Sequence, residues 1–535
     1  MKTTCTANPA GLKQTPAADS RAVLAACLIS LALAGCSSGS GDGNPMPSPD
    51  PANGTGNGSG TGSGGSGGGS SGGGSSGPGD DAPAEGARPV VYVADEDVYG
   101  MFELYMTSPT EPGTSIKLNP PLPSGGNVDL FAVTPSGDAV VYVADQEIDN
   151  LYELFVVPLD DPGAAKKLSA PLGADRDVKD FVIGADSATV IYRADHDTHD
   201  VWELFAADIG SPGAVDKVSA ELTDGGWVRD GYLITPDAST VVYRADQDEK
   251  DRTELYMVDL AVPRVSYRVN GALVEGGNVY PQFKITPNGS HIGYVADQDT
   301  DDQLELYAVD VTMPGVAMKL NGPMVPEGDV CNFTFSPDSA RAAYCADQDT
   351  DGTIELYTTA LSAPEASLKL NPPLVAGGEV THRYTFGNDG SFVVYVAKQD
   401  SATQAELYRV DIDAPGLAAK LNGTLVAGGN VDHFALSPDG TRVAYMANQS
   451  DPDVVNLYEV DLAHPGESIR ISGQTDDLGV YSFVYESDRH VVYTAIESSE
   501  TDELYRVDVT VPGASSRLNG PLVPGGEVWS FAIVP

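Results

Sequence analysis

The stretch Phe434-Ala435-Leu436-Ser437-Pro438-Asp439-Gly440-Thr441-Arg442-Val443-Ala444-Tyr445-Met446 decides the fold of this chain. Two short apolar and aromatic runs flank a Ser-Pro-Asp-Gly segment. Proline and glycine in those places are typical of a tight turn. The flanking runs have the composition of β-strands. The stretch therefore predicts a hairpin of two antiparallel strands.

The same hairpin recurs along the chain, marked by the tyrosine of a motif of the form Val-x-Tyr-x-Ala. After each hairpin come a polar loop, a strand that begins Glu-Leu-Tyr, as at Glu305-Leu306-Tyr307, and a short strand such as Lys319-Leu320-Asn321. Four short antiparallel strands in about 50 residues are typical of one blade of a β-propeller. The marking tyrosines are Tyr92, Tyr142, Tyr192, Tyr243, Tyr294, Tyr344, Tyr395, Tyr445 and Tyr493.

The two ends of the repeat region complement each other. The sequence ends on Phe531-Ala532-Ile533-Val534-Pro535, a first strand without a second, and the region begins on Val90-Val91-Tyr92-Val93, a second strand without a first. Pairing these strands closes a ring and removes both open sheet edges. We therefore predict an all-β fold in which residues 89–535 form a single propeller of nine four-stranded blades. An eight-bladed ring with one expelled unit is the alternative.

The residue pattern also resembles a known family. The Ser437–Gly440 turn, the Val-x-Tyr strand, the polar loop and the Glu-Leu-Tyr strand are similar to the WD40-like (PD40) repeats of the TolB type, over residues 90–535. The resemblance implies a propeller. TolB itself carries an α/β domain before its propeller, so its role in the Tol system is not implied here.

Residues 1–35 have the form of a bacterial signal peptide. Basic residues precede an apolar run over residues 22–35, which is short for a bilayer span. The run ends Leu33-Ala34-Gly35-Cys36, which resembles the lipobox of bacterial lipoproteins. That resemblance implies cleavage before Cys36 and lipidation of its thiol.

Residues 36–88 predict a flexible tether, because they are rich in glycine and serine and offer almost nothing to bury. Ser37 follows the cysteine, where an aspartate would retain a lipoprotein at the inner membrane, so the resemblance implies an outer-membrane location. We expect contact with the membrane through the lipid anchor only, and leave open whether the propeller faces the periplasm or the cell exterior.

The chain of 535 residues is strongly acidic, with a formal net charge of −47. Such a field repels phosphate backbones and makes nucleic acid an unfavourable partner, while it attracts cations and basic partners. Cys331 and Cys345 fall on two neighbouring strands of one repeat. A disulfide between them and a pair of buried free thiols remain alternatives.

Two of the acidic loops predict Ca²⁺ sites, since hard carboxylate oxygens at alternate positions suit that ion. The pattern is similar to the calcium hairpins of integrin α-subunit propellers. The alternative is that aspartate and glycine simply make good turns. The predicted ligands are Asp347, Asp349, Asp351 and Glu355 in one loop and Asp297, Asp299, Asp301 and Glu305 in the other.

The start of each innermost strand should line the mouth of the central channel. A mixed polar set there could bind a small ligand, or could merely line a hydrated channel. The residues at these positions are Asp180, Gln282, Asn332, His382, Arg383 and His433.

Together these patterns predict a monomeric, non-enzymatic binding module that takes a protein or glycan at the acidic loop face and is stabilised by Ca²⁺. The repeat region contains no His-Glu-x-x-His motif and no nucleophile elbow. Some TolB-like propellers are uronate lyases, and His382 and His433 lie in adjacent repeats, so a polysaccharide-processing enzyme with a channel site is one alternative. A structural envelope protein is another.

Overall fold

The computed structural model of the protein describes residues 87–173, 175–473, 479–497 and 501–535. In these ranges the chain forms 36 strands, β1 to β36 in chain order, and no helix. No segment of the described ranges is therefore a helix long and apolar enough to cross a membrane. The predicted signal peptide, Cys36 and nearly all of the tether lie outside the described residues.

The strands form nine antiparallel sheets of four strands each, as the repeat predicts. Blade 1 consists of β36 (Val528–Ile533), β1 (Val90–Ala94), β2 (Glu103–Thr107) and β3 (Ile116–Lys117). Blade 2 consists of β4 (Val128–Val133), β5 (Ala139–Ala144), β6 (Glu153–Pro158) and β7 (Lys166–Lys167). Blade 3 consists of β8 (Val178–Ile183), β9 (Thr189–Ala194), β10 (Glu203–Asp208) and β11 (Val215–Lys217). Blade 4 consists of β12 (Leu233–Ile234), β13 (Thr240–Ala245), β14 (Glu254–Asp259) and β15 (Ser266–Arg268). Blade 5 consists of β16 (Val279–Ile285), β17 (His291–Ala296), β18 (Glu305–Asp310) and β19 (Ala317–Lys319). Blade 6 consists of β20 (Val330–Phe335), β21 (Arg341–Ala346), β22 (Glu355–Ala360) and β23 (Ala363–Lys369). Blade 7 consists of β24 (Val380–Phe386), β25 (Phe392–Ala397), β26 (Glu406–Asp411) and β27 (Ala418–Lys420). Blade 8 consists of β28 (Val431–Leu436), β29 (Arg442–Ala447), β30 (Asn456–Asp461) and β31 (Ile469–Arg470). Blade 9 consists of β32 (Gly479–Tyr485), β33 (His490–Glu497), β34 (Thr501–Asp508) and β35 (Ser516–Arg517).

The second strand of each blade forms the centre of the core. In β25 every side chain from Phe392 to Ala397 is buried. An unbroken apolar strand of this kind is stable only when both of its faces are covered. The core clusters show that it is: Val394 and Val396 pack towards blade 8, while Val393 and Tyr395 pack towards blade 6.

The ring closes by the pairing of the terminal strands, as predicted. Val90 lies opposite Ile533 and Tyr92 opposite Phe531 in an antiparallel register. The first blade therefore takes its innermost strand from the end of the chain and its other three strands from the start. This arrangement confirms nine blades and excludes the eight-bladed alternative.

The repeated tyrosine connects neighbouring blades. Tyr344 stacks on Tyr357 within its blade, with ring centroids 5.4 Å apart. Its hydroxyl donates to Gln348 Oε1 at 2.6 Å and accepts from the backbone N–H of Gly322, which belongs to the preceding blade, at 3.4 Å. The buried hydroxyl of Tyr344 thus has both a donor and an acceptor role, as burial requires.

Candidate functional site

The first acid of each predicted calcium loop holds two turns together. Asp347 Oδ1 accepts from the backbone N–H of Asp329 at 2.6 Å, and its Oδ2 accepts from the N–H of Gly352 at 2.8 Å. Asp297 accepts the equivalent bonds from Asn278 at 2.5 Å and Asp302 at 3.4 Å. Asp329 and Asn278 precede the innermost strands, so the strand 2–3 loops and the inter-blade loops share one face of the ring.

The second acid, at the third loop position, and the final glutamate of each predicted set bind a lysine from the outermost strand. Lys369 Nζ lies 2.7 Å from Asp349 Oδ2 and also bonds Glu355. Lys319 bridges Asp299 and Glu305 in the same way, at 2.9 and 2.7 Å. A cation is thus already present between these carboxylates, in the form of an ammonium group.

A lysine or arginine at this position of the outermost strand pairs with the glutamate near the start of the third strand in eight of the nine blades. The two glutamates of the predicted calcium sets are buried, and the third-strand tyrosine beside each of them donates to it, as Tyr307 does to Glu305 at 2.9 Å. The arrangement is therefore part of the blade rather than of a special site. The pairs are Lys117–Glu103, Lys167–Glu153, Lys217–Glu203, Arg268–Glu254, Lys319–Glu305, Lys369–Glu355, Lys420–Glu406 and Arg517–Glu503.

Blade 8 lacks both carboxylates of this unit. Asn456 stands in place of the glutamate, Ser450 in place of the loop acid and Arg470 in place of the lysine. Tyr458 now bonds Ser450 Oγ at 2.6 Å, and Arg470 turns to the carbonyl of Gly473. The replacement of the glutamate by Asn456 was visible in the sequence and marks blade 8 as the exception.

The fifth position of the loops is exposed at the tip. Asp351 stays apart from the lysine-bound pair, whereas Asp301 lies close to Asp297 and Asp302, with one oxygen from each within 4.8 Å of the others. Each predicted set of four is thus divided between backbone, lysine and loop tip. In the group Asp297, Asp301 and Asp302 the three carboxylates lie close enough to share a metal ion, and calcium binding there stays a prediction.

The mouth of the channel is shaped by β-bulges, which leave residues of the innermost strands without a partner on the second strand. Bulges re-aim side chains and are frequent beside functional sites. Six blades have a bulge of one residue, at Trp529, Asp129, Lys179, Cys331, Asp432 and Tyr481.

Blades 4, 5 and 7 have wider bulges. Residues 280–282 and 381–383 each stand opposite a single residue of the second strand. In blade 4 the bridge of Val228 to Ala245 is followed by residues 229–232 before β12 begins. Gly231 in that segment has φ of +71°, a conformation that favours glycine.

The predicted mouth residues fall into two groups. Asp180, Asn332 and His433 directly follow one-residue bulges, and Gln282, His382 and Arg383 lie inside wide ones. The structure therefore brings all six to the same end of the innermost strands, spread over five blades. Their partners differ from blade to blade, which distinguishes the mouth from the uniform outer part of the ring.

At blades 7 and 8 the mouth carries an ion pair beside a buried imidazole. Arg383 bonds Asp432 across the blade boundary. The ring of His433 packs against Phe483, 5.5 Å between centroids. Burial lowers the pKa of His433, and the positive charge of Arg383 lowers it further, so the imidazole is neutral at pH 7. His382 instead contacts Cys345 Sγ, so the two histidines have different environments.

At blades 3 to 5 the mouth carries three arginines. Arg193 bonds Asp180 and donates to the carbonyl of Val228 on the next blade. Arg244 makes the equivalent inter-blade bond to Val279, and burial lowers its pKa to about 10.

Arg229 is the most exposed of the three. It pairs with Asp246 and lies over the ring of Trp227, with 4.6 Å between the guanidinium carbon and the ring centroid. Its guanidinium is therefore the one of the three that a ligand at the mouth can reach.

Sequence reasoning missed an aromatic rim at this mouth. All three tryptophans of the chain, Trp202, Trp227 and Trp529, lie there. Trp529 is 46% exposed and Tyr481, on the adjacent blade, 55%. Few other large aromatic side chains of the described residues are so exposed. The sequence contained one signal for this rim: tryptophan is rare in the chain, and Trp227 and Trp529 stand at or next to the predicted start of an innermost strand.

The structure also settles the pairing of the two cysteines. Cys331 and Cys345 form a disulfide between β20 and β21, with their Cα atoms 5.5 Å apart. Cys345 is fully buried, and Cys331 is the bulged residue of its strand.

Comparison with known proteins supports the architecture. No protein-family model matches the chain, and no curated protein matches its sequence. Among solved structures, a dipeptidyl peptidase 4 from Porphyromonas gingivalis is similar, with a TM-score of 0.52, 11% identity and coverage of 71% of this chain and 58% of the peptidase. A eukaryotic initiation factor is similar with a TM-score of 0.54, 9% identity and coverage of 84% of this chain and 99% of that one. At these identities the similarity shows the β-propeller fold alone.

Proposed function

We propose that this protein is a TolB-like, lipid-anchored propeller of the outer membrane that binds a protein or glycan at the channel mouth. The observation that carries the proposal is the contrast between two parts of the ring. The outer part of most blades repeats the same unit, in which a lysine or arginine and a tyrosine contact one buried glutamate. The mouth instead carries exposed aromatic rings together with arginines and histidines, and these residues differ between blades. Variable, exposed side chains on a rigid scaffold are typical of recognition.

The chemistry of the mouth suits recognition of a sugar or of a polypeptide side chain. Exposed rings such as Trp529 and Tyr481 offer flat apolar faces, and ring faces also attract cations. Asp129, at the bulge of the blade next to Trp529, adds a carboxylate that can accept hydrogen bonds or pair with a basic group.

The position at which the described chain begins agrees with this proposal. Arg88, the second described residue, donates its backbone N–H to Glu486 Oε1 at 2.9 Å. Glu486 lies at the turn between the first and second strands of blade 9, at the opposite end of the strands from the mouth. A tether that leaves from that end would direct the mouth away from the membrane to which Cys36 is proposed to anchor the chain.

The proposal is tested by binding of the full chain to a panel of polysaccharides and basic proteins, measured by affinity electrophoresis and calorimetry. Trp529→Ala and Tyr481→Ala should weaken binding about tenfold, which corresponds to about 1.4 kcal/mol. Tyr267→Ala is the matched control, because Tyr267 is 53% exposed but lies on the outermost strand β15.

Equal binding by all three variants would contradict the proposed face. Turnover of a uronate polymer that is lost in His433→Ala would replace the binding role with the enzymatic alternative. Absence of any ligand from the panel would favour the structural envelope role.

A further inference from the structure

Three side chains that prefer soft metal ions meet at the boundary of blades 6 and 7. Cys331 is the bulged residue of β20, Cys345 lies on β21 opposite Asn332, and His382 belongs to the wide bulge of β24. One ligand atom of each lies within 4.8 Å of the other two. Because all three stand on strands of a closed ring, the backbone holds them together.

The spacing of the imidazole fits a shared metal ion. His382 Nδ1 lies 3.6 Å from Cys345 Sγ. In a tetrahedral zinc site with usual bond lengths, a sulfur and a nitrogen ligand stand about 3.5 Å apart. The two sulfurs are bonded to each other in the oxidised chain, and their reduction would let them separate to the distance of about 3.8 Å that two sulfur ligands require.

Comparison of the blades indicates that the fold itself does not need this group. Positions equivalent to Cys331 hold Trp529, Asp129, Lys179, Asp432 or Tyr481 in the other blades with a one-residue bulge. Both cysteines of the described residues occur in blade 6, and the other eight blades form the same sheet without a cross-link. The three side chains are therefore an addition to the repeat.

We propose that the reduced chain binds one Zn²⁺ through Cys331, Cys345 and His382. A disulfide oxidant that accepts two electrons from the two thiolates, and two protons from solvent to become two thiols, re-forms the Cys331–Cys345 bond and releases the ion. A dithiol reductant supplies two electrons and two protons to the disulfide, giving two thiols and the oxidised reductant. Binding of Zn²⁺ then displaces both thiol protons, and the neutral imidazole supplies the third ligand. Three protein ligands leave the fourth position of the ion to a solvent molecule.

This inference is independent of the proposed binding role. It also concerns a different chemistry from the acidic loops, because thiolate and imidazole select zinc whereas carboxylates select calcium. His382 is exposed, so the ion would be accessible to solvent at the mouth.

The test measures zinc content and affinity of the full chain in reduced and oxidised form. The reduced chain, kept with a phosphine reductant without oxygen, should retain one zinc per chain against a chromophoric chelator, and the oxidised chain none at this site. Cobalt in place of zinc should give a sulfur-to-metal charge-transfer band and tetrahedral d–d bands. His382→Ala should weaken zinc binding by more than about tenfold, because loss of even an outer ligand partner has such an effect.

His199→Ala is the matched control, since His199 is also an exposed histidine and stands with the buried Asp195 and the exposed Asp200 in a group without cysteine. It should leave the reduced-state zinc unchanged. His382→Ala keeps the test valid if cysteine variants fail to fold, because its exposed side chain is not part of the core. Zinc retention that is independent of reduction or of His382, or a reduced chain that retains no zinc, would overturn the inference.

Discussion

The buried tyrosines predict that the ring unfolds steeply in alkali. All nine tyrosines of the repeated motif are buried, and burial raises the pKa of each of them. The pKa of Tyr243 and of Tyr344 is raised to about 12. A phenol with a raised pKa keeps its proton in the folded chain after the unfolded chain has lost it.

The sign and size follow from this difference. The stabilisation is fully present below the ordinary tyrosine pKa of about 10 and is lost as the pH rises towards the folded values. Each such tyrosine lowers the free energy of unfolding by about 1.4 kcal/mol per pH unit, and nine together by about 12 kcal/mol. Since domains are typically stable by about 5–15 kcal/mol, we expect unfolding within about one unit above pH 10.

The assay follows tyrosinate absorbance and far-ultraviolet circular dichroism in one alkaline titration. Both signals should change together in a narrow interval, because ionisation of the buried rings requires the sheets to open. The chain has 24 tyrosines, of which nine belong to the motif, so ionisation of more than 15 per chain while the β-sheet signal stays native would refute the reasoning.

The remaining predictions concern single contacts and the loops. Tyr192→Phe should leave the melting temperature unchanged or raise it, because the buried Tyr192 hydroxyl has no hydrogen-bond partner among the described residues. Tyr344→Phe, which removes a hydrogen bond to Gln348, should lower the free energy of unfolding by about 1 kcal/mol. A larger loss of stability for Tyr192→Phe than for Tyr344→Phe would contradict this prediction. Lys369→Met should lower the free energy of unfolding, measured by chemical denaturation, by about 2 kcal/mol, because it removes the cation paired with the buried Glu355. Arg470→Met in blade 8 should lower it less, because Asn456 replaces the glutamate there. Equal losses for the two variants would argue against a stabilising role of the Lys–Glu pair. At low ionic strength EDTA should lower the melting temperature and added Ca²⁺ should restore it. Asp301→Asn should reduce the rise in melting temperature that Ca²⁺ causes. A melting temperature of the unsubstituted chain that neither EDTA nor Ca²⁺ changes would speak against calcium binding.

The candidate site was only partly predictable from the sequence. The channel-mouth positions followed from the strand order, because the start of every innermost strand can be counted from its tyrosine. The calcium pattern took Asp349 and Glu355 for ligands of one ion, but their nearest cation is Lys369, which follows them by 14 residues or more on the outermost strand. Loop spacing alone does not show which distant side chain folds back onto the loop.

The sequence by itself determined the ring. Strand period, turn residues and the repeat of the tyrosine are local features, and the complementary first and last strands predicted the pairing of Tyr92 with Phe531. Only the tertiary structure decided the widths of the bulges, the gathering of the three tryptophans and the meeting of His382 with Cys345. These depend on how neighbouring blades pack, where a shift of one or two residues in an innermost strand changes which side chains face each other.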